Sequence, residues 1–278
     1  MELNNMNNIK EMKLYSNAYR IFKDLKALGY SEDDKFNLED VNQFDQLHYH
    51  GTLSVQKAIE TINIQENDNV LEVGAGWGGP SRYIAYKTRA HVSALELQQD
   101  YSEVGEVLTF KTGLDSLVTH INQDFLNFSP KDQCFSKIVS WLALYHIPYR
   151  KQYTDKIFNL LNKNGMLFIE DLTFGSGFKS SHKEMLEKKL FANSLEKYSE
   201  YLDTCANVGF EIVDHKDMSS DWESFTHERL KLLQTNRSNH EKIHGVEGYN
   251  TIEDFYKTIA ECFAENIIGG IRLICKKN

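Results

Sequence analysis

Gly74, Gly76 and Gly79 stand at the spacing G-x-G-x-x-G, directly after the apolar run 69–73 and directly before Pro80. Glycines so spaced let backbone approach a ligand beside a helix N-terminus, and the spacing is best known from dinucleotide sites. Glu72, two residues ahead of the first glycine, alters the choice of ligand. A carboxylate there repels a pyrophosphate and attracts an ammonium or a sulfonium. S-adenosylmethionine (SAM) carries both cations; a nicotinamide dinucleotide carries neither at that point. The plainer alternative is a Glu that caps or solvates the loop. Glu96 stands 22 positions after Gly74, where an acidic side chain accepts from both ribose hydroxyls in either kind of site. Asp124, after a third apolar run, can accept from the adenine amine, with Phe125 offering its N–H or its ring; a turn-opening Asp is the other reading.

The elements that must hold these residues follow from periodicity. Leu14, Ala18, Ile21, Leu25 and Leu28 recur at helical spacing, with Gly29 as terminator. Residues 52–61 form a second helix. Short strands are predicted at 69–73, 91–95, 118–122, 137–140, 166–169, 210–213 and 271–275, with helical stretches between, one of them at about 153–161. The fold class is therefore α/β: a Rossmann-like, mostly parallel seven-stranded sheet with helices on both faces, plus N-terminal helices and a helical lid. Residues 1–51 are expected as a cap over the site, and 52–278 as one domain with lid insertions at about 180–208 and 221–264.

The net charge of −9 argues against nucleic acid as a partner, because phosphate contacts need clustered Lys and Arg. Cys134, Cys205, Cys262 and Cys275 have neither disulfide-framework nor zinc spacing, and no metal is expected. Without a signal-like leader or a membrane-length apolar run, a cytoplasmic chain is expected, monomer or homodimer.

With these residues in hand, the chain resembles the class I SAM-dependent methyltransferases. It is most similar to the branch containing sarcosine/dimethylglycine and phosphoethanolamine N-methyltransferases. The resemblance rests on VLEVGAGWGG (70–79), with Trp77 before the paired glycines, on SWLALYHI (140–147) and on LNKNGMLFIED (161–171). It implies backbone contacts from Gly74 and Gly76 to the methionine moiety, with Glu72 neutralising the amine. It implies Glu96, with Leu97 beside it, at the ribose, Asp124 and Phe125 at the adenine, and Ser140 and Trp141 beside the sulfonium. His146 matches a histidine that the phosphoethanolamine enzymes pair with a tyrosine. Leu142 departs from the branch, which is acidic there.

On the acceptor side, a primary or secondary amine must lose a proton to react, so His146 and Tyr49 are the candidate catalytic residues. A His146 that merely caps or packs is the alternative. His48 and His50 flank Tyr49 in a segment, 44–52, that closes over the cofactor in the similar enzymes. Trp141 and Trp222 could wall in a methylated ammonium, although Trp222 reads more readily as a core residue. His50 and Asp171 complete the substrate set. Arg150 reads as a surface partner, and Asp217 and Arg229 lie where a lid could reach a ligand. The leading function is N-methylation of a small amine or amino acid. O- or C-methylation of a more apolar metabolite, and an NAD-dependent oxidoreductase, are the alternatives.

Overall fold

The computed structural model describes residues 16–130 and 134–278. The strands are β1 (Asn69–Val73), β2 (His91–Glu96), β3 (Val118–Asn122), β4 (Phe135–Trp141), β5 (Leu161–Phe174), β6 (Glu211–Asp217) and β7 (Ile268–Lys276). They form one sheet in the order β3-β2-β1-β4-β5-β7-β6. Neighbours among β1 to β5 pair in parallel, and β7 runs antiparallel between β5 and β6. The helices are α1 (Arg20–Ala27), α2 (Leu38–Val41), α3 (Thr52–Thr61), α4 (Gly79–Thr88), α5 (Gln99–Lys111), α6 (Arg150–Leu160), α7 (Lys183–Leu190), α8 (Tyr198–Val208), α9 (Ser219–Thr235) and α10 (Arg237–Ala264).

Alternation along the strands divides the core in two. Val70, Val139, Phe168 and Ile274 join the cluster covered by α3 and α4. Their neighbours Leu71, Ile138, Leu167 and Leu273 join the cluster covered by α6 and α8. A parallel sheet buried on both faces needs this near-continuous apolar strand sequence.

A third cluster stands over the carboxyl end of β5. Leu186 and Leu190 of α7, Trp222 of α9, and Ile252, Phe255, Ile259 and Phe263 of α10 gather there around Tyr49 and Leu172. This cluster differs from the expected lid in one respect. Within 180–208 only α7 belongs to it, because Tyr201 and Cys205 of α8 pack beneath the sheet. α10 is broken at Gly245, where φ is +80°.

At the N-terminus, Ala18, Ile21 and Leu25 pack on Trp77, Tyr101 and Val104. Gly29 ends the helical stretch at φ +103°. Leu28 is exposed, and Leu14 lies outside the described residues. β5 is much longer than the predicted 166–169. It absorbs Asn164, which takes φ +62° within the strand.

Candidate active site

β1 ends at Val73, and the chain then turns at Gly74 (φ +76°) and Gly76 (φ +54°). A Cβ on Gly74 would lie 2.2 Å from the Cβ of Ala143, so the loops leaving β1 and β4 meet only because that position has no side chain. The cleft between them has a cavity volume of about 110 Å³ and opens to solvent.

Glu72 and Glu96 both line this cleft and both are buried. Glu72 sits in the sheet between Ala94 and Val139 and accepts a hydrogen bond from the Ser81 hydroxyl in the first turn of α4. Burial pushes its pKa up to about 8, against the Ser81 hydrogen bonds and the nearby charge of Arg82. Alone it keeps its proton at neutral pH; a cation in the cleft would release it. Glu96 accepts from the Gly76 N–H and from the Gln98 N–H, each at 2.8 Å. Burial raises its pKa while those two N–H groups oppose the rise. Each oxygen keeps a lone pair for a further donor.

Asp124 and Phe125 line the cleft, and half-exposed Leu97 lies at its mouth. Asp124 also closes its own turn, accepting from the Leu126 N–H and the Asn127 side-chain amide, each at 2.9 Å. Trp141 lines the cleft, with its indole N–H donating to Ser54 Oγ at 2.9 Å. Ser54 in turn donates to Glu170, which pairs with Arg272. Two expected cofactor residues stand apart. The Ser140 hydroxyl donates to the Val73 carbonyl at 2.8 Å and ties β4 to β1. The Trp77 indole donates to the Ala18 carbonyl at 3.0 Å and stacks on Tyr101, so it anchors the N-terminal helix.

His146 lines the cleft near the exit of β4. Its Nδ1 lies 3.0 Å from the Phe191 carbonyl, which can only accept, so the proton sits on Nδ1 and Nε2 carries the lone pair. Burial lowers its pKa to about 4, leaving the ring neutral at physiological pH. His48 also lines the cleft, with its ring stacked 5.5 Å from Trp141 and its pKa lowered to about 4, mainly by burial. Leu142, also on the cleft, takes φ +51°, a region a leucine rarely adopts.

The other acceptor candidates lie elsewhere. Tyr49 is buried in the lid among Trp222, Phe225 and Phe263, and burial raises its pKa. His50 turns away from His48 to meet Asp221 at 2.6 Å. Trp222 is wholly buried against β7, where a Cβ on Gly270 would lie 2.2 Å from its ring; it is a packing residue. Asp171 lies within β5 and is fully buried. It accepts from the Tyr201 hydroxyl at 3.1 Å and faces Arg150 at 4.0 Å, so it does not meet an acceptor. Arg150 is itself buried and pairs with Glu196 at 3.3 Å, contrary to a surface role.

Sequence reasoning missed the pair Asp45–Arg82. The two side chains are fully buried, 2.8 Å apart, and join the cap to α4 directly under the glycine loop. Arg82 further donates to the carbonyls of Trp77 and Gly105. An arginine in the first turn of the helix that follows the glycines was the available signal. Among the described residues no group of three or more His, Cys, Asp or Glu could hold a metal, and no helix is long and apolar enough to cross a membrane.

The family model described as mycolic acid cyclopropane synthetase matches residues 41–272. The chain is similar to 24-methylenesterol C-methyltransferase 2 of Arabidopsis thaliana, 28% identical over 60% of this chain and 48% of that protein. It is also similar to the glycine/sarcosine/dimethylglycine N-methyltransferase of Actinopolyspora halophila, 22% identical over 60% of this chain and 29% of that protein. The chain thus spans about half or less of the length of these relatives. Among solved structures it superposes on phosphoethanolamine N-methyltransferase 2 of Haemonchus contortus, bound to phosphomonomethylethanolamine and S-adenosylhomocysteine (SAH). That match has a TM-score of 0.80 and 15% identity, over 99% of this chain and 60% of that one.

Proposed function

Since the chain belongs to the mycolic acid cyclopropane synthetase family, we propose that it is a SAM-dependent methyltransferase that methylates the nitrogen of a small amine or amino-acid acceptor. The residues present fit the cofactor. The glycine loop offers backbone, Glu72 offers a buried acid in want of a cation, and Glu96 offers two oriented carboxylate oxygens. When bound, SAM supplies a methyl group on a cationic sulfur, open to displacement by a lone pair in line with the departing sulfur.

In this reading Glu72 faces the methionine amine, Glu96 holds the ribose hydroxyls, and Asp124 with Phe125 receives the adenine. Trp141 and His48 shape the wall beside the transfer site. The observation that carries N-methylation is His146: a neutral imidazole on the cleft, its tautomer fixed by the Phe191 carbonyl. Nε2 accepts a hydrogen bond from the acceptor's N–H and turns the nitrogen lone pair toward the methyl group. It takes the proton that must leave as the C–N bond forms. Tyr49 supports the segment carrying His48 from within the lid.

C-methylation of an apolar acceptor is favoured by a different observation, the leucine at position 142 beside an aliphatic and aromatic lid cluster. The oxidoreductase reading falls with the family assignment. Turnover of radiolabelled SAM against amines, amino acids and unsaturated apolar compounds separates the two. The proposal expects labelled amine or amino acid, and His146→Ala is expected to lower that turnover about a hundredfold while leaving SAH affinity within a few-fold. Label appearing only in the unsaturated compounds would reject N-methylation. Loss of thermal stability alone in His146→Ala would make this histidine structural.

A further inference from the structure

Behind the cleft wall, side chains from four elements form one hydrogen-bonded chain. The Trp141 indole N–H, at the end of β4, donates to Ser54 Oγ in the first turn of α3 at 2.9 Å. Ser54 donates to Glu170 Oε2 of β5 at 2.8 Å, and Arg272 Nε of β7 donates to Glu170 Oε1 at 2.7 Å. Trp141, Ser54 and Glu170 are all buried. Of the four, Trp141 lines the cleft, while Ser54, Glu170 and Arg272 stand behind it.

The chain has one polarity. An indole nitrogen and a guanidinium only donate, and a serine hydroxyl has a single proton. Ser54 accepts from Trp141 and spends its proton on Glu170, so Glu170 must present acceptors to both neighbours. Its ion pair with Arg272 favours that state. Burial raises the Glu170 pKa, while the Arg272 charge and the hydrogen bonds from Ser54 and Arg272 oppose the rise. The same residue holds the next position of β4's exit. The Glu170 carbonyl accepts from the Leu142 N–H at 2.7 Å, where the chain leaves the strand.

The Trp141 ring meets two other rings, His48 at 5.5 Å and Phe168 at 5.6 Å. Ring contacts let an indole slide in its own plane, and a hydrogen bond at its edge removes that freedom. Without Ser54 the buried N–H would be unpaired, and the ring would gain by turning toward another acceptor. We infer that Ser54 and Glu170 are positioning residues for methyl transfer: they fix the in-plane direction of the Trp141 ring, and with it the stacked His48, so that the cleft wall leaves room for the methyl group on the cofactor's sulfur. The inference rests on the methyl-transfer reading of the cleft and deepens it, by naming the residues that set the wall from outside.

Calorimetric affinities for SAM and SAH test it, because the two ligands differ by the methyl group and its charge. In Ser54→Ala the affinity for SAM relative to SAH is expected to fall about threefold to tenfold. Glu170→Gln, which keeps an acceptor and loses the charge, should fall between Ser54→Ala and wild type. In Trp141→Phe, which keeps a ring and has no N–H, adding Ser54→Ala should change the ratio no further. General loosening of the site lowers both affinities alike and leaves the ratio in place. A wild-type ratio in either single variant therefore overturns the inference, as does an undiminished effect of Ser54→Ala on the Trp141→Phe background. Should Ser54→Ala fail to fold, Ser54→Cys, whose thiol is a weak acceptor of similar size, carries the same expectations. A wild-type protein that binds neither ligand strikes the cofactor reading instead. The Trp141 indole N–H resonance of the free, ¹⁵N-tryptophan-labelled protein, assigned with Trp141→Phe, then decides. An upfield shift in Ser54→Ala supports the inference, and an unmoved resonance overturns it.

Discussion

Glu96 illustrates how much one side chain organises. Its two oxygens orient the Gly76 and Gln98 N–H groups, and so the glycine loop and the start of α5, before any ligand arrives. Glu96→Ala removes the acceptor proposed for the ribose and strands those two donors. SAH affinity is expected to fall about tenfold to a hundredfold by calorimetry, and unchanged affinity would remove Glu96 from the site. Glu72 was legible as a cleft residue because a short strand running into a glycine turn fixes where its last side chains point, and Glu96 because it closes the next strand 22 positions after Gly74. Asp171 and Trp222 were not. Their roles depend on Tyr201, Arg150 and Gly270, which the fold brings in from 21 to 48 positions away. His50 misled for the same reason, since Asp221 reaches it only through the fold.

At the scale of elements, alternation and glycine punctuation located all seven strands, and β1 and β3 matched residue for residue. Boundaries failed where pairing extends a strand beyond its apolar run, as β7 does for β5. Helix α8 was read as lid because its sequence is charged; its buried face, Tyr201 and Cys205, is only two residues wide. The link between cap and α4 depends on a feature that periodicity does not show. Asp45 is held by burial above its usual pKa and by Arg82 against that rise. Asp45→Ala leaves the Arg82 charge buried and uncompensated, which should cost about 3–5 kcal/mol in a denaturant titration. A loss below 1 kcal/mol would show that water reaches Arg82 and that the pair does not hold the cap.

For the whole molecule, the sheet carries a cleft at its carboxyl ends, lined on one side by Asp45, Leu47 and His48 of the N-terminal segment. The net charge of −9 gives no hint of this arrangement, because the acids that matter are the buried ones. Glu72 ties the site to the stability of the chain. Its folded pKa of about 8 lies above the ordinary 4.5, so between those values the native state holds a proton the unfolded chain has lost. Its contribution to stability therefore declines as pH rises from about 4.5 to about 8. A bound cation would lower the folded pKa and cancel that decline.

Proton release on SAH binding is thus the most direct measurement of the account, by calorimetry at pH 6.5 in buffers of different ionisation enthalpy. There Glu72 holds its proton in the free protein and the ligand amine is already charged. The wild-type protein should release close to one proton per SAH bound and Glu72→Gln none. Equal release by the two proteins, or none by the wild type, would contradict the claim that a buried acid at the end of β1 receives the cationic end of the cofactor.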